Sequence, residues 1–417
     1  MKAIVLAGGY SGRFYPYSAA AHKAMVKVMG KPILQYTLDG LKAAGIKEII
    51  LRVSEDGVVK DYFGNGEKFG LSIQYIVQKE ALGMGEVLLK AEKYLDGDFI
   101  LISASHVNSK DLVEELIKSK KDSRGAVLAR KRENFWDYGV IEAKDGKLVR
   151  IIEKPRKGEE PSNLCLVGAF LLPTEIIEIV KNVEMSEFNF EQEVLALYVK
   201  ENSISVRETQ IETVTLKYPW DLLHIKNYLM KDLKGKIGSG AKISKSAEVD
   251  SNVVVEDGAE ILAGAKIKGP AYIGKGVYIG TNSLIRGGSD LEENVSVGAF
   301  TEIKNSVFMQ GSSIHSGFVG DSIVGSNCKI GSAFTTANKK IDRKNVQVVV
   351  KGAKVDTGLT SLGAIIGNNV KIGIKVSVMP GVIIGNNVTI GPGTSVFKNI
   401  EDDVTYYAKF QEIIEKK

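Results

Sequence analysis

"ILAGAKIKGPAYIGKGVYIGTNSLI" (residues 261–285) carries an aliphatic side chain at Ile261, Ile267, Ile273, Ile279 and Ile285. A period of six matches neither the turn of an α-helix nor the two-residue alternation of a strand. It matches a coil in which each strand and turn takes six residues, three such units close a triangle, and the anchors stack down its interior. Outward from this stretch the spacing begins at Ile237, runs through Ile243, Val249 and Val255, and continues to Leu291 and Val297. It slips around Val307–Ile330 and resumes at Ile366, Ile372, Val378, Ile384, Ile390 and Val396. Glycine and asparagine fill the turn positions, where φ > 0 is common. Residues 332–363 interrupt the period. An insertion of that length in a solenoid serves either a site or the joining of subunits. Beyond Asp403 the spacing ends, and "VTYYAKFQEIIEKK" (404–417) predicts a short helix that caps the open end.

The first half reads differently. "KAIVLA" (2–7), "EIILRV" (48–53), "SIQYIVQKE" (72–80) and "DFILISA" (98–104) predict buried strands, with helical patterns such as "ILQYTLDGLKAAG" (33–45) between them. Alternating strands and helices predict a Rossmann-like α/β domain with a mostly parallel sheet. The division is 1–232 for this domain, 233–402 for the β-helix with its insertion loop 332–363, and 403–417 for the cap. Ligands of such sheets sit at the carboxyl ends of strands, where the stretch Gly8–Arg13 falls. Small residues there free backbone N–H groups for phosphate, and Arg13 adds a fork of donors, although a glycine turn after a strand is also a common structural device.

Length and composition bound the rest. The 417 residues predict two domains, and 44% apolar content fills two cores. A net charge of +5, from 55 basic and 50 acidic residues, is mild and diffuse. It suits small anionic ligands and gives no basic patch for nucleic acid. Cys165 and Cys328 are too few for a disulfide framework or a metal cluster. With no signal-peptide pattern and no apolar run of membrane-spanning length, the expectation is a cytoplasmic protein with no membrane partner.

"LAGGYSGRFYPYS" (6–18) and "HKAMVKVMGKPILQY" (22–36) resemble the signature of sugar-1-phosphate nucleotidylyltransferases. The chain is most similar to the archaeal two-domain type, which joins that domain to a left-handed β-helix acetyltransferase. The resemblance continues through "QKEALGMGE" (78–86), "YGVIEAKDGKLVRIIEKP" (138–155), "SNLCLVGAFLLP" (162–173) and "YPWDLL" (218–223). It implies that Gly8, Gly9 and Arg13 face nucleotide phosphates with Lys23 beside them. It implies that Gln78 and Gly83 approach the base, and that Gly139, Glu153, Lys154 and Asn163 hold the sugar phosphate. The departures from the family pattern are Ser11, His22, Met84 and, above all, the metal ligands. Ser105 in "DFILISASH" stands where the family carries an Asp for the divalent cation, and Thr215 stands where its partner Asp is expected. Hydroxyls are poor replacements for carboxylates around Mg²⁺, so no metal site is expected and canonical metal-dependent transfer is not favoured. His106 beside Ser105 reads as a packing or hydrogen-bonding residue.

In the second half, "SSIHSGFVGDSIVGSNCKIG" (312–331) and "TTANKK" (335–340) resemble the active-site region of hexapeptide acyltransferases. The resemblance implies a homotrimer with sites between copies, His315 as base, Asn338 orienting substrate or the acetyl group, and acetyl-CoA in a groove that includes "VMPGVIIG" (378–385). Basic residues common before the "LGAIIG" segment are replaced by Leu359, Thr360 and Ser361, with Lys339, Lys340 and Lys351 as the nearest substitutes. The expected function is a nucleotidylyltransferase-family protein of sugar-nucleotide metabolism. Its first domain binds a nucleoside triphosphate or nucleotide-sugar and a sugar 1-phosphate, and acetyl transfer is the better-supported chemistry. The alternative is a non-catalytic homologue that regulates or scaffolds a catalytic paralogue.

Overall fold

The computed structural model describes residues 1–8, 12–19, 23–78, 83–133, 135, 138–184, 190–411 and 414–415. The chain forms two compact units that do not follow a linear cut at 232. Met1–Gly9 joins Ile33–Thr215, and Tyr10–Pro32 joins Leu216–Lys417.

The first unit is built on a nine-stranded mixed sheet. In spatial order its strands are Ser72–Val77, Glu48–Val53, Lys2–Leu6, Phe99–Ser103, Leu164–Leu172, Gly125–Lys131, Ile204–Glu208, Lys147–Glu153 and Gly139–Lys144. The first four are mutually parallel, as the alternating pattern predicts, and Leu164–Leu172 enters antiparallel against Phe99–Ser103. Ala3, Ile4 and Val5, and likewise Phe99 to Ile102, are buried on both faces because helices such as Ile33–Ala43 and Ser109–Lys120 cover the sheet. In register, Leu6 lies opposite Arg52 on one side and Ser103 on the other, which sets these two residues at the carboxyl edge beside the first glycine turn.

The second unit is a left-handed parallel β-helix. Its coils lay down three sheets of eight, nine and eight short strands, called here the first, second and third faces in the order the chain visits them. Val255, Ile261 and Ile267 begin the interior stack, which continues without a polar break to Ile303. The slip in the pattern has a simple cause. Ile303, Phe308, Ile314, Val319 and Val324 all point inward, but several steps are five residues long instead of six. The insertion is also shorter than expected. Phe334–Thr336 is still a strand of the third face, pairing with Gly317–Gly320 and with Ser377–Val378. Thr336 takes an anchor position as a polar residue, and its hydroxyl accepts from Gly320 N at 2.9 Å. Only the residues after this strand leave the coil, and they form the hairpin Gln347–Val350 with Ala353–Asp356.

The expected capping helix over 403–417 is corrected. Thr405–Tyr406 is a strand that pairs in parallel with Thr389–Ile390, and no described residue from 403 to 415 is helical. A β-branched and an aromatic residue suit an extended conformation, and one more strand satisfies the last open edge directly. Helix Asp221–Met230 belongs with the solenoid, not with the sheet. So does the segment after Gly9, whose Tyr17 hydroxyl donates to Ile366 O at 2.8 Å and whose Tyr15 hydroxyl donates to Asp402 at 2.7 Å. Among the described residues no helix is long and apolar enough to cross a membrane.

Candidate functional site

The carboxyl edge of the first sheet is filled from within. A Cβ added to Gly8 would stand 1.7 Å from Arg52 Nη1, so the absent side chain makes room for a guanidinium. Arg52 is buried and its Nε donates to Gln78 Oε1 at 2.7 Å. Burial lowers its pKa, opposed by the charge of Glu86. The Gln78 amide nitrogen donates to Glu86 and, at 3.3 Å, to Gly83 O at the start of helix Gly83–Ala91. Gln78 and Gly83 are therefore brought together, with both ends of the amide engaged. Arg52 and Glu86 were not identified from sequence. An arginine inside an otherwise apolar strand, "EIILRV", was the available signal. Gly9 lies outside the described residues, as do Ser11 and His22.

A second cluster forms at the far end of the sheet. Gly139 pairs with Glu153, and a Cβ on it would meet Glu153 Oε2 at 2.8 Å. Lys154 takes a positive φ of 49°, donates its backbone N–H to Tyr138 O at 3.0 Å, and holds its ammonium 3.6 Å from Glu153. Asn163 is exposed, and its carbonyl accepts from Arg132 N at 3.0 Å. The Arg132 guanidinium lies 4.2 Å from the Tyr138 ring centre. Four expected residues thus share one neighbourhood, to which the structure adds Arg132 and Tyr138.

Within the second unit, Arg13 and Lys23 are neighbouring cations. The charge of Arg13 lowers the pKa of Lys23 further, after burial, which is the larger cause, while Asp221 opposes both. Arg13 faces the Tyr218 ring at 6.0 Å, and Tyr218 stacks on Trp220 at 4.5 Å. On the solenoid, His315 is exposed at the turn between the second and third faces. It lines a groove of about 430 Å³ with Ser296, Ser313, Lys329 and Gly331. Asn338 follows the next third-face strand, at the corner between the third and first faces. One chain therefore does not unite His315 with Asn338. Asn338 O accepts from Leu362 N at 2.9 Å, closing the base of the insertion, and Lys340 pairs with Asp342 at 3.1 Å.

Residues 2–212 match the profile of the Nucleotidyl transferase family. Residues 363–398 match Bacterial transferase hexapeptide (six repeats), and residues 267–357 match the GMPPB C-terminal domain. "Bifunctional protein GlmU" of Methanococcus vannielii is 35% identical over the whole of both chains, and that of Methanocaldococcus jannaschii is 34% identical over the same extent. The chain belongs to the archaeal bifunctional GlmU family. A further relative, the "Bifunctional sugar-1-phosphate nucleotidylyltransferase/acetyltransferase" of Sulfurisphaera tokodaii, is 33% identical over 96% of this chain and 98% of its own.

Ser105 and Thr215 are the residues that the family resemblance leads one to expect in place of the metal carboxylates. Ser103 and Ser105 face one another at 3.2 Å at the end of strand Phe99–Ser103, and Ser105 and His106 are buried. Thr215 is half-buried. Mg²⁺ takes its protein ligands from carboxylates, so this donor set does not fit it. His106 does not compensate. Burial pushes its pKa down to about 4, opposed by a backbone hydrogen bond with Gly168, whose φ of 79° accompanies a bulge in strand Leu164–Leu172. Its ring packs there as a neutral side chain. Among the described residues no group of three or more His, Cys, Asp or Glu side chains could hold a metal ion.

Proposed function

We propose that this member of the GlmU family retains acetyl transfer at its solenoid. Its first domain binds a nucleoside triphosphate or nucleotide-sugar, and a sugar 1-phosphate, without efficient metal-dependent transfer. The contrast between His315, exposed in a groove, and the hydroxyl pair Ser103–Ser105 carries this reading.

In the acetyl-transfer site, His315 accepts the proton that an amino-sugar nitrogen loses as it attacks the thioester carbonyl of acetyl-CoA. The new C–N bond replaces the C–S bond, and the proton leaves with the CoA thiol. An imidazole is the side-chain type that takes up and releases a proton in general base catalysis, and this one is exposed to an incoming ligand. Because His315 and Asn338 occupy different corners of one chain, the site is completed between copies, and a homotrimer through the solenoid is the assembly that supports it. In the first domain, Gly139, Glu153, Lys154 and Asn163 hold the sugar phosphate. Arg13 and Lys23, neighbouring cations packed within the second unit, supply positive charge suited to phosphates.

The hydroxyl pair favours a second reading for the first domain alone, namely binding in the service of a catalytic paralogue. A thiol-release assay with acetyl-CoA and a panel of amino sugars, run beside a pyrophosphate-release assay with nucleoside triphosphates, sugar 1-phosphates and Mg²⁺, separates the two. Acceptor-dependent thiol release with little pyrophosphate is the expected result. Robust Mg²⁺-dependent pyrophosphate release overturns the reading of the first domain, and absence of thiol release overturns that of the solenoid.

A further inference from the structure

The corner between the third and first faces carries a column of hydrogen bonds that ends on Asn338. Successive coils place Gly288, Asn305 and Asp321 there with φ of 78°, 45° and 49°. Lys226 of helix Asp221–Met230 is fully buried at the top of the column. Its ammonium donates to Gly288 O and, at 2.8 Å, to Asn305 Oδ1. Asn305 Nδ2 passes a bond of 2.7 Å to Asp321 Oδ1. The other oxygen of Asp321 accepts from Lys304 Nζ at 3.0 Å and from Asn338 Nδ2 at 2.5 Å. Above the column the buried acids Asp290 and Glu292 accept the backbone N–H groups of Met29 and Gly30, each at 2.9 Å.

The direction of these bonds has a chemical consequence. The two ends of an asparagine amide are interchangeable in shape, and only their partners fix which end points where. A carboxylate is an acceptor alone, and Asp321 already accepts from Lys304 and from Asn305. Asn338 must then give its NH₂ group to Asp321. Its carbonyl oxygen is turned to the opposite side, and none of the described residues donates to that oxygen. The amide offers a ligand an acceptor.

We propose that Asp321 is the positioning residue that presents the Asn338 carbonyl to the acceptor of the transferred acetyl group, so that the site selects a ligand bringing N–H or O–H donors. This rests on the acetyl-transfer reading. It also suits the insertion's return, where Leu359, Thr360 and Ser361 provide no cation to attract an anionic group.

The test compares the unaltered chain with Asp321→Asn and with the exchanged pair Asp321→Asn, Asn338→Asp, using thiol release with glucosamine 1-phosphate. Asn305 still gives its NH₂ to the oxygen at position 321, so the amide introduced there turns its own NH₂ toward Asn338, and Asn338 must reverse to meet it with its carbonyl. The exchanged pair restores the open acceptor. There the amide at position 321 donates to the carboxylate at position 338, whose second oxygen remains an acceptor. KM for the amino sugar should rise about tenfold in Asp321→Asn, as expected when a hydrogen bond to a charged or polar ligand is lost. KM for acetyl-CoA should stay constant, and the exchanged pair should recover most of the loss. An unchanged amino-sugar KM overturns the proposal. So does a parallel rise of both KM values with a fall in melting temperature that the exchange does not repair, which would mark the column as architecture only. If the unaltered protein transfers no acetyl group, the acetyl-transfer reading fails separately, and the orientation is still decided by hydrogen exchange in protein labelled with ¹⁵N at asparagine. Slow exchange of the Asn338 side-chain NH₂ supports the orientation, and exchange at the solvent rate overturns it.

Discussion

Gln78 and Asn338 are both carboxamides at expected sites, and they are held in opposite ways. Gln78 gives its carbonyl to Arg52 and its nitrogen to Glu86 and Gly83 O, so both ends of the amide are engaged inside the first domain. Among the described residues Asn338 is engaged at one end of its amide only, by Asp321, and the other end is left for a ligand. The same contrast holds for charge. The end of strand Phe99–Ser103 carries a pair of hydroxyls turned to one another, whereas His315 stands exposed in a groove. A polar group satisfied at both ends supports structure. A group fixed at one end and open at the other is equipped to act on a ligand.

Substitution of His315 by Ala is the strongest challenge to this contrast. It should lower acceptor-dependent thiol release by about 10²–10⁴-fold, the range for a lost general base. The melting temperature should hardly move, because His315 is exposed. An unaltered rate would leave His315 an ordinary turn residue and remove the contrast.

The next effect is structural. Ile303→Ala, inside the solenoid stack, should cost about 2–5 kcal/mol in denaturant unfolding, since Ile303 is fully buried. A much smaller loss would show that neighbouring coils do not unfold together.

His106 predicts a pH effect confined to the first domain. Its folded pKa is pushed from 6.5 to about 4, so between these values the unfolded chain holds a proton that the native state lacks. Stability is fully present above pH 6.5 and falls as pH drops toward 4, by up to about 3 kcal/mol. His106→Phe should flatten that slope in thermal melts at pH 4.5 and pH 7, and an unchanged slope would assign the acid sensitivity to other groups.

The smallest expected effect is a gain. Ser105→Asp with Thr215→Asp should make pyrophosphate release rise about tenfold on adding Mg²⁺, a fraction of what a fully built cation site contributes. No response would place the defect of the first domain beyond its two hydroxyls.

The solenoid was legible from its anchors because a buried interior position tolerates few residue types, and six-residue spacing has no competing explanation. The stack was lost only where the physics allowed it. Five-residue steps such as Ile303 to Phe308 break the count, and Thr336 hides an anchor because its hydroxyl finds Gly320 N instead of water. The terminal strand Thr405–Tyr406 read as helix because two residues are too few to show alternation. At the candidate sites, Gly139, Glu153, Lys154 and Asn163 were readable as one neighbourhood through family resemblance. Arg52 was not, since its importance lies in the space that Gly8 leaves for it. Nor was Asp321, whose meaning depends on three donors contributed by different coils and by the insertion.

The segment after Gly9 is made early and used late. Phe14 and Tyr17 are buried, and the partners that hold this segment include Asp290, Ile366, Asn386 and Asp402. A ribosome adding roughly 5–20 residues per second needs on the order of tens of seconds to reach them. During that interval a stretch that includes Phe14 and Tyr17, both buried once folded, waits outside the exit tunnel with its destination unwritten. A nascent chain of this protein therefore carries a sticky, unfinished loop for most of its synthesis, and chaperone binding to stalled chains should be concentrated on that loop until the final coils emerge.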